Sequence, residues 1–173
     1  LLDCNLHLEF DDLAKRVAEN MLLPLDHGGT AREHGEDLYL YEFASVNECL
    51  VFNGWVFGIF GLWDHARRTA DPVVQGKLDR SILTLNKTLS LFIRNNGWSY
   101  YDTAGRLASP FYQDLHISLL EALYRLTTIE TFREQMQVCQ KGNSFINRTW
   151  YTITKIKDKL FDKQLYSSQP LTK

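Results

Sequence analysis

Leu50-Val51-Phe52-Asn53-Gly54-Trp55-Val56-Phe57-Gly58-Ile59-Phe60-Gly61-Leu62-Trp63-Asp64 is the stretch whose reading decides the fold. It is apolar almost throughout, broken by Asn53 and three glycines, and is shorter than the roughly 20 residues a helix needs to span a bilayer. It reads as a buried helix, capped by Ser45 or Asn47 and running to about His65, with apolar side chains all round its axis. Gly54, Gly58 and Gly61 fall on one stripe. Each glycine costs roughly 1 kcal/mol of helix propensity relative to alanine, so three on one face imply close approach by another element.

Upstream, Leu13, Val17 and Met21 recur every fourth residue and predict a helix from Phe10 to Leu23, closed by Pro24 and Gly28-Gly29. Leu38 to Phe43 predicts a brief strand with Tyr39, Tyr41 and Phe43 on one face. Downstream, Asp71-Pro72 is a cap followed by proline at the first helical position, and Leu78, Ile82, Leu85, Leu89 and Phe92 form an amphipathic stripe. Asn95-Asn96-Gly97 stops that helix, and Trp98 to Leu107 reads as a hairpin turning at Asp102 to Gly105. Ser109-Pro110 opens the next helix, with Leu115, Leu119, Ala122 and Leu126 as its core stripe and Tyr112 and His116 on a neighbouring face. Helices over Glu130–Gln140 and Phe145–Phe161, separated by Gly142-Asn143, complete an all-α pattern of about six helices in antiparallel pairs.

At 173 residues with 45% hydrophobic content, the chain suits one domain over residues 1–173 with a sizeable core. Nineteen basic against 21 acidic residues argue against a nucleic-acid binder but leave room for an anionic ligand. Cys4, Cys49 and Cys139 are an odd number at wide spacing, so neither a disulfide scaffold nor a zinc ligand set is expected, and no metal site is assigned. No signal peptide is visible, but the first residue is Leu1; the compartment stays open, and the chain is expected to be a fragment of a longer protein.

Three blocks carry a resemblance. The run from Leu50 to Asp64 resembles the Asn-Gly-aromatic helix ending in Gly-Leu-Tyr-Asp of the D-glucuronyl C5-epimerase C-terminal region. Gly97-Trp98-Ser99-Tyr100-Tyr101-Asp102 is similar to that family's Tyr-Asp hairpin, and Ser109-Pro110-Phe111-Tyr112-Gln113-Asp114-Leu115-His116-Ile117 resembles its Tyr-x-x-x-His-Ile motif. Order and rough spacing agree from about Tyr41 to Arg133. The resemblance implies part of an α/α barrel, or toroid, with short strand and hairpin insertions. It implies an isomerase that interconverts D-glucuronate and L-iduronate residues within a polysaccharide, without a cofactor. A uronic-acid polysaccharide is then the partner, and a homodimer is allowed.

Inverting C5 requires removing the proton beside the uronate carboxylate and returning one to the opposite face, so two acid/base groups must flank the ring. By resemblance these are Tyr101 and Tyr112, with His116, one turn after Tyr112, beside the phenol or the substrate. Counting back from Asn53, the position of a third family tyrosine falls on Phe43, which has no ionisable hydroxyl. Glu42 keeps the preceding acid and Tyr41 can substitute through a local shift. Arg106 is the preferred carboxylate partner, since guanidinium binds carboxylate in bidentate fashion. Asn53 joins His116, Arg106 and Glu42 as an expected substrate-binding residue. The alternative is a non-catalytic glycan-binding or helical interaction module that keeps the fold.

Overall fold

The computed structural model describes residues 2–43 and 49–166. Among them are six helices and one two-stranded antiparallel sheet: α1 (Leu2–Leu22), β1 (Ala31–His34), β2 (Asp37–Leu40), α2 (Phe52–Thr69), α3 (Pro72–Thr88), α4 (Pro110–Thr127), α5 (Glu130–Gly142) and α6 (Phe145–Tyr166). The mainly α expectation holds. Helices α2 and α3 pair, as do α4 and α5, and each pair is joined by two residues. Both joints use a non-glycine residue in the left-handed region, Ala70 (φ 52°) and Thr128 (φ 57°), whose N–H closes on the carbonyl four residues back. Among the described residues no helix is long and apolar enough to cross a membrane.

Helix α2 is the hub: it packs against α1, α3, α4 and β2. Phe52, Trp55, Val56, Ile59 and Leu62 are buried on it, and the Trp55 indole N–H donates to Ser81 Oγ of α3 at 2.9 Å. The helix is not apolar-packed all round, because Phe57 is half exposed. Its start also differs from expectation. Ser45 and Asn47 lie outside the described residues, and α2 begins at Phe52 with Val51 as a cap that offers no side chain. The Phe52 N–H, one of the first-turn donors that have no partner within the helix, donates to the Tyr101 carbonyl at 3.1 Å. The glycine stripe meets what was inferred for it: a Cβ at Gly54 would press on Glu42, one at Gly58 on Leu40 and Met21, and one at Gly61 would touch Met21.

Two elements are shorter or more local than expected. The strand predicted over Leu38–Phe43 ends at Leu40 and pairs with β1, so Tyr41 and Phe43 lie beyond it, and Phe43 is 65% exposed. A four-residue partner, Ala31–His34, sets that length, and its alternation turns Leu38 and Leu40 into the core. The hairpin after α3 is built from isolated bridges, Ile93 with Ser99, Tyr100 with Leu107, and Val51 with Asp102, and not from a ladder. Asp71 and Ser109 do cap α3 and α4, accepting from Val73 and Val74 and from Tyr112.

The stripe of α4 is rotated from the expected one. Gln113, His116, Leu119, Leu120 and Leu123 are buried, whereas Leu115 and Ala122 are half-buried and Leu126 is exposed. Two polar side chains take the core face because each finds partners there. Helices α5 and α6 run on past their expected ends at Gln140 and Phe161.

Gly97 (φ +78°) is where α5 touches the hairpin: a Cβ there would collide with the Val138 carbonyl and lie 2.9 Å from Gly142 Cα. Gly97→Ala is therefore expected to lower the unfolding free energy by about 1–3 kcal/mol. Gly76→Ala, in open space within α3, should raise it by roughly 0.5–1 kcal/mol. Urea denaturation of both variants checks the contrast, and shifts of the same sign would remove the close approach at Gly97.

Candidate active site

The Tyr101 and Tyr112 rings meet edge to face with centroids 4.8 Å apart. Tyr101 is carried by the hairpin, whose backbone is tied on both sides: its carbonyl caps α2 and its N–H donates to the Arg106 carbonyl at 2.6 Å. Tyr112 stands in the first turn of α4. One turn on, His116 is buried, its ring 6.2 Å from the Tyr112 ring and 4.7 Å from that of Phe52. Three sequence-predicted residues are thus brought together by the hairpin, the α4 N-terminal half and the start of α2.

Arg106 and Glu42 flank the pair with opposite charge. The Arg106 guanidinium lies 5.3 Å from the Tyr101 ring centroid, while its Nε donates to Asp102, a carboxylate with no exposed surface. The Asp102 side chain also accepts from the Arg106 backbone N–H at 3.1 Å, so the turn and its arginine are held by one acid. Burial raises the Tyr101 pKa above its ordinary 10, the nearby charge of Glu42 and the Tyr112 phenol raise it further, and Arg106 opposes them. Tyr101 accordingly rests as the neutral phenol. The Arg106 pKa is itself raised, chiefly by its bond to Asp102.

Tyr41 and Asn53 are placed differently. Tyr41 is buried, with the Arg32 guanidinium 5.8 Å from its centroid, and it lines an open groove of about 450 Å³ together with Glu42, Gly54 and Phe57. It is Glu42, one residue on, whose charge is felt at Tyr101. Asn53 is buried beside Phe52, and its Oδ1 has no hydrogen-bond partner.

Beneath the tyrosines lies a buried polar chain that sequence reasoning missed. Ser99 N–H and Ser99 Oγ both lie 2.8 Å from Gln113 Oε1, and His116 Nδ1 lies 2.8 Å from Ser99 Oγ. Gln113 Nε2 donates to the carbonyls of Gly97 and Cys139. The available signal was Gln113 three residues before His116, two polar groups on one helical stripe, each of which needs a partner if buried. Among the described residues no group of three His, Cys, Asp or Glu side chains is arranged to hold a metal.

The family model for the D-glucuronyl C5-epimerase C-terminus matches residues 8–141. The chain belongs to that family. No curated protein matches it. The match runs from within α1 to the last turn of α5, covers every residue of the ring cluster of this epimerase-family domain, and stops before α6.

Burial holds the His116 pKa down to about 3, so the ring is neutral in the folded chain near pH 7. An unfolded histidine titrates near 6.5. The unfolded state then binds the extra proton first, so stability is fully present above about pH 6.5 and is lost as pH falls toward 3. Urea titrations between pH 7 and pH 4.5 should show the unfolding free energy dropping with a slope approaching roughly 1.4 kcal/mol per pH unit, a slope that His116→Asn abolishes. Equal slopes for the two proteins would show that His116 is not the buried neutral group.

Proposed function

We propose that this domain carries the acid/base groups of a uronate C5-epimerase acting within a polysaccharide, and that its helix pairs are a portion of an α/α barrel in a longer protein. The observation that supports this best is the Tyr101–Tyr112 contact, with the Arg106 guanidinium over the Tyr101 ring and the charge of Glu42 acting on the same phenol. Two phenols this close exchange hydrogen-bond roles easily, and proton handling is what C5 inversion demands.

The environments divide the roles. Tyr101, kept neutral, is the proton donor to the C5 carbanion, and Tyr112, once its phenol proton has passed to solvent, is the phenolate that removes the first proton. Arg106, whose Nε is engaged with Asp102, offers its terminal amines to the uronate carboxylate and offsets the charge that opposes carbanion formation. The two rings touch, so a sugar does not fit between them as they are packed. The proposal therefore requires the Tyr101 side chain to turn away from Tyr112 when the sugar enters, so that the phenols reach opposite faces.

Phe43 supports a second reading. It stands where the resemblance expects a tyrosine and is exposed, which is compatible with a glycan-binding module short of one acid/base group. Hydrogen/deuterium exchange at C5 of a uronic-acid polymer separates the two. The epimerase reading expects exchange, and Tyr112→Phe should reduce it by about 10²- to 10⁴-fold with the fold unchanged by circular dichroism. Binding of the polymer without any exchange by the unmodified protein would leave the module reading instead. Arg106→Gln is expected to lower kcat as well as raise KM for the uronic-acid polymer, because Arg106 both binds the carboxylate and offsets the charge of the carbanion, and a neutral polysaccharide should be bound equally by both proteins.

A further inference from the structure

The hydrogen bonds beneath the tyrosines have a direction that can be worked out from donors and acceptors alone. The Gln113 amide is oriented without ambiguity: Nε2 faces two carbonyls, and Oε1 faces the Ser99 backbone N–H, which can only donate. Oε1 can only accept, so the Ser99 hydroxyl must donate its single proton to it. That leaves Ser99 Oγ only lone pairs for His116 Nδ1, so Nδ1 must carry the proton. A neutral imidazole has one N–H, and Nε2 is then a bare lone pair. Nε2 is buried and has no partner, on a ring packed edge-on against Phe52 and tilted beside Tyr112, with centroids 6.2 Å apart. A buried acceptor left unmet is destabilising, which is a reason to look for the donor that fills it in the working state.

We propose that Ser99 and Gln113 are positioning residues that hold His116 as its Nδ1–H tautomer, keeping Nε2 as the acceptor for a hydroxyl at the floor of the tyrosine cleft. The inference rests on the reading of that cleft as an epimerase site only for the identity of the hydroxyl. Two sources share the needed O–H chemistry: the Tyr112 phenol in the resting protein, before it loses its proton to act as base, and a hydroxyl of the sugar that enters when Tyr101 turns aside. Neutral imidazole is the right acceptor for either. It orients an O–H without taking its proton, and burial keeps it neutral across the pH range in which uronates are ionised.

Nitrogen NMR of histidine-labelled protein at pH 7 reads the tautomer directly, with His116 assigned among the five histidines by its loss in His116→Asn. The expected result is a protonated Nδ1 and a pyridine-type Nε2; a protonated Nε2 in the unmodified protein overturns the proposal whether or not any variant folds. Ser99→Ala should populate the Nε2–H tautomer, and Ser99→Thr, which keeps the hydroxyl, should restore Nδ1–H. An unchanged tautomer in a folded Ser99→Ala variant overturns the positioning role. A shift of the Nε2 resonance in Tyr112→Phe identifies the phenol as donor, and a shift only on adding a heparosan oligosaccharide identifies the sugar. A resonance moved by neither overturns the acceptor role. Because the tautomer is read without substrate, it stands or falls separately from C5 exchange.

Discussion

Everything at the candidate site depends on one buried amide. Gln113 has no exposed surface and fills both donor positions of its amide, and its oxygen takes two hydrogen bonds. The partners come from the hairpin and from the last turn of α5, while Gln113 itself belongs to α4, so three segments distant in sequence are fixed by one side chain. An amide left unsatisfied in such a place would cost on the order of 1–3 kcal/mol per missing bond, so the segments cannot drift apart cheaply. The glycine pair Gly97 and Gly142 permits the approach, since side chains there would hold α5 away from the hairpin.

From that point the order of the site follows. Ser99 is oriented by Gln113, His116 by Ser99, and the His116 ring then supports Phe52, the first residue of α2. Helix α2 lacks a capping side chain and its first N–H donates to the Tyr101 carbonyl, while the neighbouring bridge joins Val51 to Asp102. The hairpin is thus held by its contacts with three helices more than by pairing within itself. Its backbone is tied by hydrogen bonds on both sides, yet the Tyr101 side chain is half-buried and held by ring contact with Tyr112.

What the sequence made legible were the features with a strictly local cause. The proline-preceded caps at Asp71 and Ser109, the glycine stripe of α2 and the α3 core stripe each follow from spacing within one element. The start of α2 was not legible, because its first N–H is satisfied from fifty residues away by a carbonyl, and no residue type advertises that. The α4 stripe was read one step out of phase for a related reason. Assigning the core by apolarity passes over Gln113 and His116, whose burial is paid for by each other's neighbourhood and by Ser99. Tyr101, Tyr112 and His116 are marked by family resemblance, whereas Ser99 and Gln113, which lie in the same stretches, carry no signal beyond being polar at positions that the fold buries. Tyr41 and Phe43 were placed on a strand that ends before them, since strand length was set by the partner Ala31–His34.

The opposed charges around Tyr101 bear on which proton transfer each tyrosine performs. In the free protein Arg106 favours the phenolate and Glu42 disfavours it, with burial adding to the side of Glu42. A uronate carboxylate binding Arg106 would engage the one cation that helps Tyr101 ionise and would bring a second negative charge close to it. On the epimerase reading, substrate binding therefore makes the Tyr101 phenol harder to ionise, not easier, and strengthens its assignment as the donor. The burden of proton removal shifts to Tyr112, which stands on the side of the pair nearer the neutral imidazole. A hydroxyl held by His116 Nε2 is directed without being deprotonated, so during the reaction the imidazole can orient a hydroxyl of the sugar beside Tyr112 while adding no charge to a site that holds a carboxylate and a developing carbanion.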